Sequence, residues 1–176
     1  MPEAARLTVG SFQVPSTTRT LSYRIWEPPQ SSAALLIVHG FGEHSGRYED
    51  FAHELTQRQL TVASLDLWGH GQSGGRRGDW DSIDRVLDDL ELFRECYVAP
   101  RIVTRRFGVF GHSAGGLLSA CWAQHRSTWL SCVILQSPLL GIGFPVPHWK
   151  VSAAQWAARL WPTLALPTGL DAAWLS

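Results

Sequence analysis

Phe107-Gly108-Val109-Phe110-Gly111-His112-Ser113-Ala114-Gly115-Gly116 is the stretch on which the fold turns. An apolar run gives way at once to G-x-S-x-G. Leu117, Leu118, Cys121 and Trp122 then follow at helical spacing. Strand, sharp turn and helix in that order read as a nucleophile elbow. Gly111 and Gly115 relieve crowding where the chain reverses, so the serine between them can be held in a strained conformation. Ser113 then projects its hydroxyl from the tip of the turn and is the candidate nucleophile. A G-x-S-x-G arises by chance in roughly one chain in twenty of this length. The weight of the motif therefore comes from its placement.

Outward from the elbow, short apolar runs recur. Ala33–Val38, Thr61–Leu65 and Cys132–Leu135 join Phe107–Phe110 as candidate strands buried on both faces. Between them lie helical stripes. Tyr48, Phe51, Ala52 and Leu55 form the first, and Leu117 to Trp122 the last. The longest runs from Ile83 through Val86, Leu87 and Leu90 to Phe93, with Asp81 or Ser82 as its N-cap. This alternation predicts an α/β fold, a mostly parallel sheet with helices on both faces. Before it, Leu7, Val9, Phe12 and Val14, then Leu21, Tyr23 and Ile25, predict an opening antiparallel hairpin. After Pro138 the alternation stops. Ala153, Trp156, Ala157, Leu160 and Trp161 make a helical stripe in a region that also holds Ile142, Phe144, Trp149, Leu164, Leu166 and Trp174. Residues 1–138 are expected as core and 139–176 as the start of a cap or lid.

Ligands of an open parallel sheet bind beyond the carboxyl ends of its strands. Three unusual loops fall at that edge: His39-Gly40-Phe41-Gly42-Glu43-His44, Asp66 to Gly75, and the elbow. Acyl transfer needs N–H donors for the developing oxyanion. The amide after the nucleophile, Ala114, is one candidate, and Phe41 is the other. Gly40 and Gly42 let that backbone approach. Gly69, Gly71 and Gly74 match a dinucleotide fingerprint, G-x-G-x-x-G, but no helix begins at once after them, as that chemistry requires. Asp66 and these glycines are instead expected to hold a tight loop beside the elbow. His39, His44, His70 and His112 are expected in structural hydrogen bonds, and Arg76-Arg77 in a solvated loop.

Composition narrows the classes. The 176 residues are 45% hydrophobic and 17% charged, and 15 basic residues balance 15 acidic ones. No net field draws the chain to nucleic acid. Cys96, Cys121 and Cys132 have no metal-ligand spacing. They read as free thiols, buried for Cys121 and Cys132, in a reducing compartment. The start, Met1-Pro2-Glu3-Ala4-Ala5-Arg6, lacks the pattern of a signal peptide, so the cytoplasm is expected. The long stretch without Lys, Arg, Asp or Glu after Arg126 is broken by Pro138, Pro145 and Pro147, against a membrane span.

Three motifs together carry a resemblance. H-G-F-G-E-H-S-G-R-Y at 39–48, D-L-W-G-H-G-Q-S-G-G-R-R-G at 66–78 and G-H-S-A-G-G at 111–116 resemble the monoacylglycerol lipase and lysophospholipase branch of the α/β-hydrolases, which is grouped with the serine aminopeptidases. The similarity runs from about Leu7 to the end of the chain. It implies the α/β-hydrolase fold, a helical cap and a Ser-Asp-His triad without metal or cofactor. Ser113 takes the nucleophile's position, Phe41 and Ala114 those of the oxyanion donors. Single-chain acyl esters, monoacylglycerol or lysophospholipid, are the implied substrates. Trp68 departs from the arginine often found there. In this fold the acid and histidine follow the serine from strands beyond the cap. Asp171 and His148 both lie in the cap stretch, so the chain reads as the N-terminal portion of such a hydrolase. Two rivals stand beside this reading: a non-catalytic remnant, and a peptidase or amidase on the same fold. The Trp-rich stripe reads first as packing and second as peripheral contact with a membrane or micelle.

Overall fold

The computed structural model describes residues 5–80, 82–104, 106–125, 129–141 and 147–161. They fall into two compact units, 1–139 and 140–176.

The first unit is built on one sheet. Strands β1 (Arg6–Gln13) and β2 (Thr20–Glu27) form the opening antiparallel hairpin, paired from Arg6 with Glu27 to Gln13 with Thr20. Leu7 and Val9 face solvent, whereas Phe12 turns inward. β3 (Ala33–Val38), β4 (Leu60–Leu65), β5 (Phe107–His112) and β6 (Leu130–Gln136) follow. The order across the sheet is β1-β2-β4-β3-β5-β6, with β4, β3, β5 and β6 parallel. The mostly parallel sheet expected from the alternation is therefore present, in keeping with the fold that the resemblance implies.

Three helices connect these strands: α1 (Glu49–Thr56), α2 (Ile83–Phe93) and α3 (Ala114–His125). Ser82 caps α2, its hydroxyl accepting from the Arg85 N–H at 3.2 Å. The alternative cap, Asp81, lies outside the described residues. The period of two along β3 divides the core. Leu35 and Ile37 join Trp26, Ala52, Val62 and Phe110 on the α1 side. Ala34, Leu36 and Val38 join the larger cluster of Leu87, Leu90, Phe93, Leu118 and Trp122.

One strand departs from expectation. Among the described residues β6 is the outermost strand of the sheet, and Val133, Ile134 and Leu135 are 37–47% exposed instead of buried on both faces. An apolar run encodes a strand but not how many neighbours it will have. Cys132 is accordingly exposed and Cys121 only half-buried, so neither is the enclosed thiol expected; Cys96 is exposed too.

In the second unit, α4 (His148–Leu160) contains the predicted stripe, and Trp149, Trp156 and Leu160 are exposed. Ile142, Phe144, Leu164, Leu166, Asp171 and Trp174 lie outside the described residues. No helix among the described residues is long and apolar enough to cross a membrane.

Candidate active site

Ser113 occupies the turn between β5 and α3 with φ +51°. A side chain in that left-handed region costs roughly 1 kcal/mol or more and persists only where its surroundings over-determine it. They do so here. The Ser113 N–H donates to the Gln136 carbonyl at 3.0 Å, and its own carbonyl accepts from Gly116 and Leu139, each at 2.9 Å. The hydroxyl-bearing residue is half-buried, while Ala114 beside it is buried. Ala114 opens α3, so its N–H is among the first four of the helix, which have no partner within it.

The elbow glycines act by close approach. A Cβ on Gly111 would meet the Ser119 Oγ at 2.3 Å. One on Gly115 would meet the Val38 carbonyl at 2.1 Å and the His39 carbonyl at 2.5 Å. The start of α3 thus lies directly against the end of β3, where the next loop begins.

That loop, 39–44, is fixed on both sides. His39 is fully buried, and its Nε2 accepts from the Leu67 N–H at 3.0 Å. The proton therefore sits on Nδ1, which donates to the Gly40 carbonyl at 2.8 Å. Burial lowers the His39 pKa to about 4, so the ring stays neutral. The Glu43 N–H also donates to the Gly40 carbonyl, at 3.2 Å. In a trans peptide the next N–H points the opposite way. The orientation of the Phe41 amide is thereby set by His39 and Glu43. Gly42 follows with φ +78°.

Glu43 is buried, with 9% of the residue exposed. Its carboxylate Oε2 accepts from the Gly40 N–H at 2.8 Å, the Tyr48 hydroxyl at 2.8 Å and His112 Nδ1–H at 3.0 Å. Its Oε1 pairs with Arg47 at 3.1 Å. Burial pushes this carboxyl up, but the bonds from Gly40, His112 and Tyr48 outweigh it and hold it below its ordinary value. Burial and the adjacent Glu43 charge raise Tyr48. Sequence reasoning passed over Glu43. The available signal was a carboxylate placed among glycines and histidines, three residues after Gly40.

Asp66 ties the second loop to the first. Its two oxygens accept from the Ser45 N–H at 2.7 Å and the Gln72 N–H at 2.8 Å. A Cβ on Gly71, which has φ +49°, would meet its Oδ2 at 2.2 Å. α2 begins only at Ile83, so G-x-G-x-x-G here closes a loop and does not open a helix. Arg77 is exposed but not merely solvated, because its guanidinium donates to the Gly71 and Ser73 carbonyls. Trp68 lies between Arg19, whose guanidinium is 4.4 Å from the ring, and the Gly74-Gly75 backbone. His70 is buried beside Phe41 and Trp80 in edge and tilted contacts, and burial lowers its pKa. His44 accepts from the Gly46 N–H at 3.1 Å. The expected structural bonds of His39, His44, His70 and His112 are all present.

The structure thus brings Gly40, Gly111, Gly115 and Asp66 into one set of packed loops around Ser113, with Phe41 and Ala114 in the same loops. His148 belongs to the second unit.

Known proteins resemble this chain in sequence and fold. The family model described as serine aminopeptidase, S33 (Hydrolase_4) matches residues 29–176. Human monoglyceride lipase is 35% identical over 149 residues, which are 81% of this chain and 48% of the human protein. The crystal structure of Paleococcus ferrophilus monoacylglycerol lipase superposes with a TM-score of 0.72 at 30% identity, over 86% of this chain and 56% of that one. A soluble variant of monoglyceride lipase from Saccharomyces cerevisiae, solved with a substrate analog, has the same fold at 24% identity and a TM-score of 0.75, over 97% of this chain and 57% of that one. The chain therefore spans about half the length of these relatives. With its parallel sheet, its elbow at Ser113 and a family match that covers most of its residues, the chain belongs to the serine aminopeptidase S33 family of α/β-hydrolases.

Proposed function

We propose that the protein is a serine hydrolase that cleaves carboxylic esters of single acyl chains, of the monoacylglycerol or lysophospholipid type. The observation that carries this reading is Ser113 itself: a strained, half-buried serine at a strand-to-helix turn, with both backbone groups tied down. The names of the relatives, monoglyceride and monoacylglycerol lipases, support the ester as substrate.

In this reading a histidine base takes the Ser113 proton. Oγ attacks the ester carbonyl, and the oxyanion is held by the Phe41 and Ala114 amides. The alcohol leaves with a proton from that histidine, and water then attacks the acyl-enzyme to release the acid. We assign the base and its carboxylate partner to no residue of 1–176. No metal or cofactor enters the scheme. Residues 1–138 serve as core and 139–176 as the beginning of the cap. The exposed Trp149, Trp156 and Leu160 offer the apolar surface that a lipid chain, membrane or micelle would contact. Three free cysteines, two of them exposed, favour a reducing compartment such as the cytoplasm.

The test is active-site labelling of the full-length protein with a fluorophosphonate probe. Wild type should label, and Ser113→Ala should abolish both labelling and ester hydrolysis, with kcat lower by about 10⁴-fold or more. Labelling that survives the substitution would sink the assignment. Faster turnover of a peptide anilide than of a monoacylglycerol would move the substrate class to amides, as the family description allows.

A further inference from the structure

Glu43 has no part in the chemistry above, yet it touches both halves of the site. Its Oε2 accepts three hydrogen bonds, from Gly40, Tyr48 and His112. Gly40 immediately precedes Phe41, and His112 immediately precedes Ser113. One oxygen atom therefore grips the residue before the proposed oxyanion donor and the residue before the proposed nucleophile. The grip is close. A Cβ on Gly40 would lie 3.1 Å from that oxygen and 3.3 Å from His112 Nδ1. The Glu43 main chain adds a second hold, its N–H on the Gly40 carbonyl.

Stability alone is a poor reason for this carboxylate. Removing a charge from water is costly, and well-packed apolar residues often replace buried ionic groups without loss. Geometry is a better reason. Oxyanion stabilisation works only when donors are already aimed at the place where charge develops. A misplacement of about 1 Å in a reacting assembly can cost around 10²-fold in rate.

We propose that Glu43 is a positioning residue that locks the Gly40–Phe41 peptide and the Ser113 elbow in mutual register. This rests on the serine hydrolase reading. The lock acts on the transition state more than on bound substrate, because negative charge develops on the oxygen facing the Phe41 N–H only on the way to the tetrahedral intermediate.

The experiment uses the full-length protein, p-nitrophenyl butyrate as substrate and an alkyl trifluoromethyl ketone as oxyanion mimic. Glu43→Ala should lower kcat by about 10- to 100-fold and weaken ketone binding by the same factor, leaving KM within about twofold. Glu43→Gln keeps an oxygen for Gly40 and Tyr48, and should recover at least tenfold of a hundredfold loss. If Glu43→Ala does not fold, Glu43→Asp replaces it. That variant keeps the charge but draws the oxygen back from Gly40 by a methylene, and kcat and ketone affinity should again fall together. Wild-type kcat and ketone affinity in a folded Glu43→Ala or Glu43→Asp protein overturn the proposal. So does a loss confined to KM, or Glu43→Gln as impaired as Glu43→Ala. Ser113→Ala run alongside separates the two levels. If it remains active, the hydrolase reading falls and this one with it. If it is inactive while the Glu43 variants match wild type, only the positioning role falls.

Discussion

His39 shows how one buried side chain couples stability to the site. Its Nε2 takes the Leu67 N–H and its Nδ1–H serves the Gly40 carbonyl, so only the neutral ring fits. Its pKa falls from 6.5 to about 4 on folding, chiefly because burial penalises the charged ring. Between those values the unfolded chain binds a proton that the folded chain refuses. The stability due to neutral His39 is therefore complete above about pH 6.5 and withdraws as pH falls toward 4, for a total of about 3 kcal/mol. Some 2 kcal/mol should be gone by about pH 5. His70, also lowered by burial, adds loss in the same direction. Glu43 acts in a more acidic window: its lowered pKa confers stability above its ordinary value of 4.5 that is lost below it. Urea unfolding of wild type at pH 7.5 and 5 should show this loss, and His39→Gln should shrink the difference. A wild-type midpoint that does not move with pH refutes the account. The sequence placed His39 in a structural role, but its tautomer required knowledge of Leu67, 28 positions away.

At the scale of the element, α2 is amphipathic by design of its residue spacing. Val86, Leu87, Leu90 and Phe93 are buried, whereas Ile83, Asp84 and Arg85 face solvent. Its start is marked by Ser82, whose hydroxyl takes the Arg85 N–H. Ser82→Ala should lower stability by about 1 kcal/mol, read from urea midpoints, and leave activity unchanged. A neutral result would mean that water satisfies this end equally well. Further along, Trp122 of α3 donates its indole N–H to Glu91 of α2 at 2.7 Å, and Arg94 pairs with the same carboxylate. The buried Arg19–Asp89 pair, at 2.6 Å, fastens the hairpin turn to α2. Helix and strand positions were legible in residue periodicity, since a period depends only on near neighbours. The N-cap was legible as one of two neighbours, Asp81 or Ser82, and the structure shows Ser82 capping. These long-range clasps were not, because no local pattern announces a partner seventy residues distant.

At the scale of the molecule, the sheet is sealed unevenly. β3, β4 and β5 lie between two apolar clusters, while β6 presents Val133, Ile134 and Leu135 to solvent. An exposed apolar edge strand is a template for pairing with another chain. A polypeptide of residues 1–176 alone is expected to self-associate in sedimentation velocity at micromolar concentration. Ile134→Lys should reduce that association. A wild-type 1–176 chain that sediments as a clean monomer would refute the prediction.

Local order carried much of the reading. The sequence by itself determined the strand–helix alternation, the opening hairpin, the elbow and the loop that mimics a dinucleotide fingerprint. Each is written in adjacent residues through period, glycine placement and turn chemistry. Tertiary structure alone decided the rest. Ser113 holds φ +51° because Gln136 and Leu139 tie it there. Glu43 joins two loops because folding carries His112 across 69 positions to meet it. Cys132 is exposed because β6 is the outermost strand of the sheet among the described residues. These outcomes depend on which distant segments become neighbours, and that is settled only when the sheet assembles.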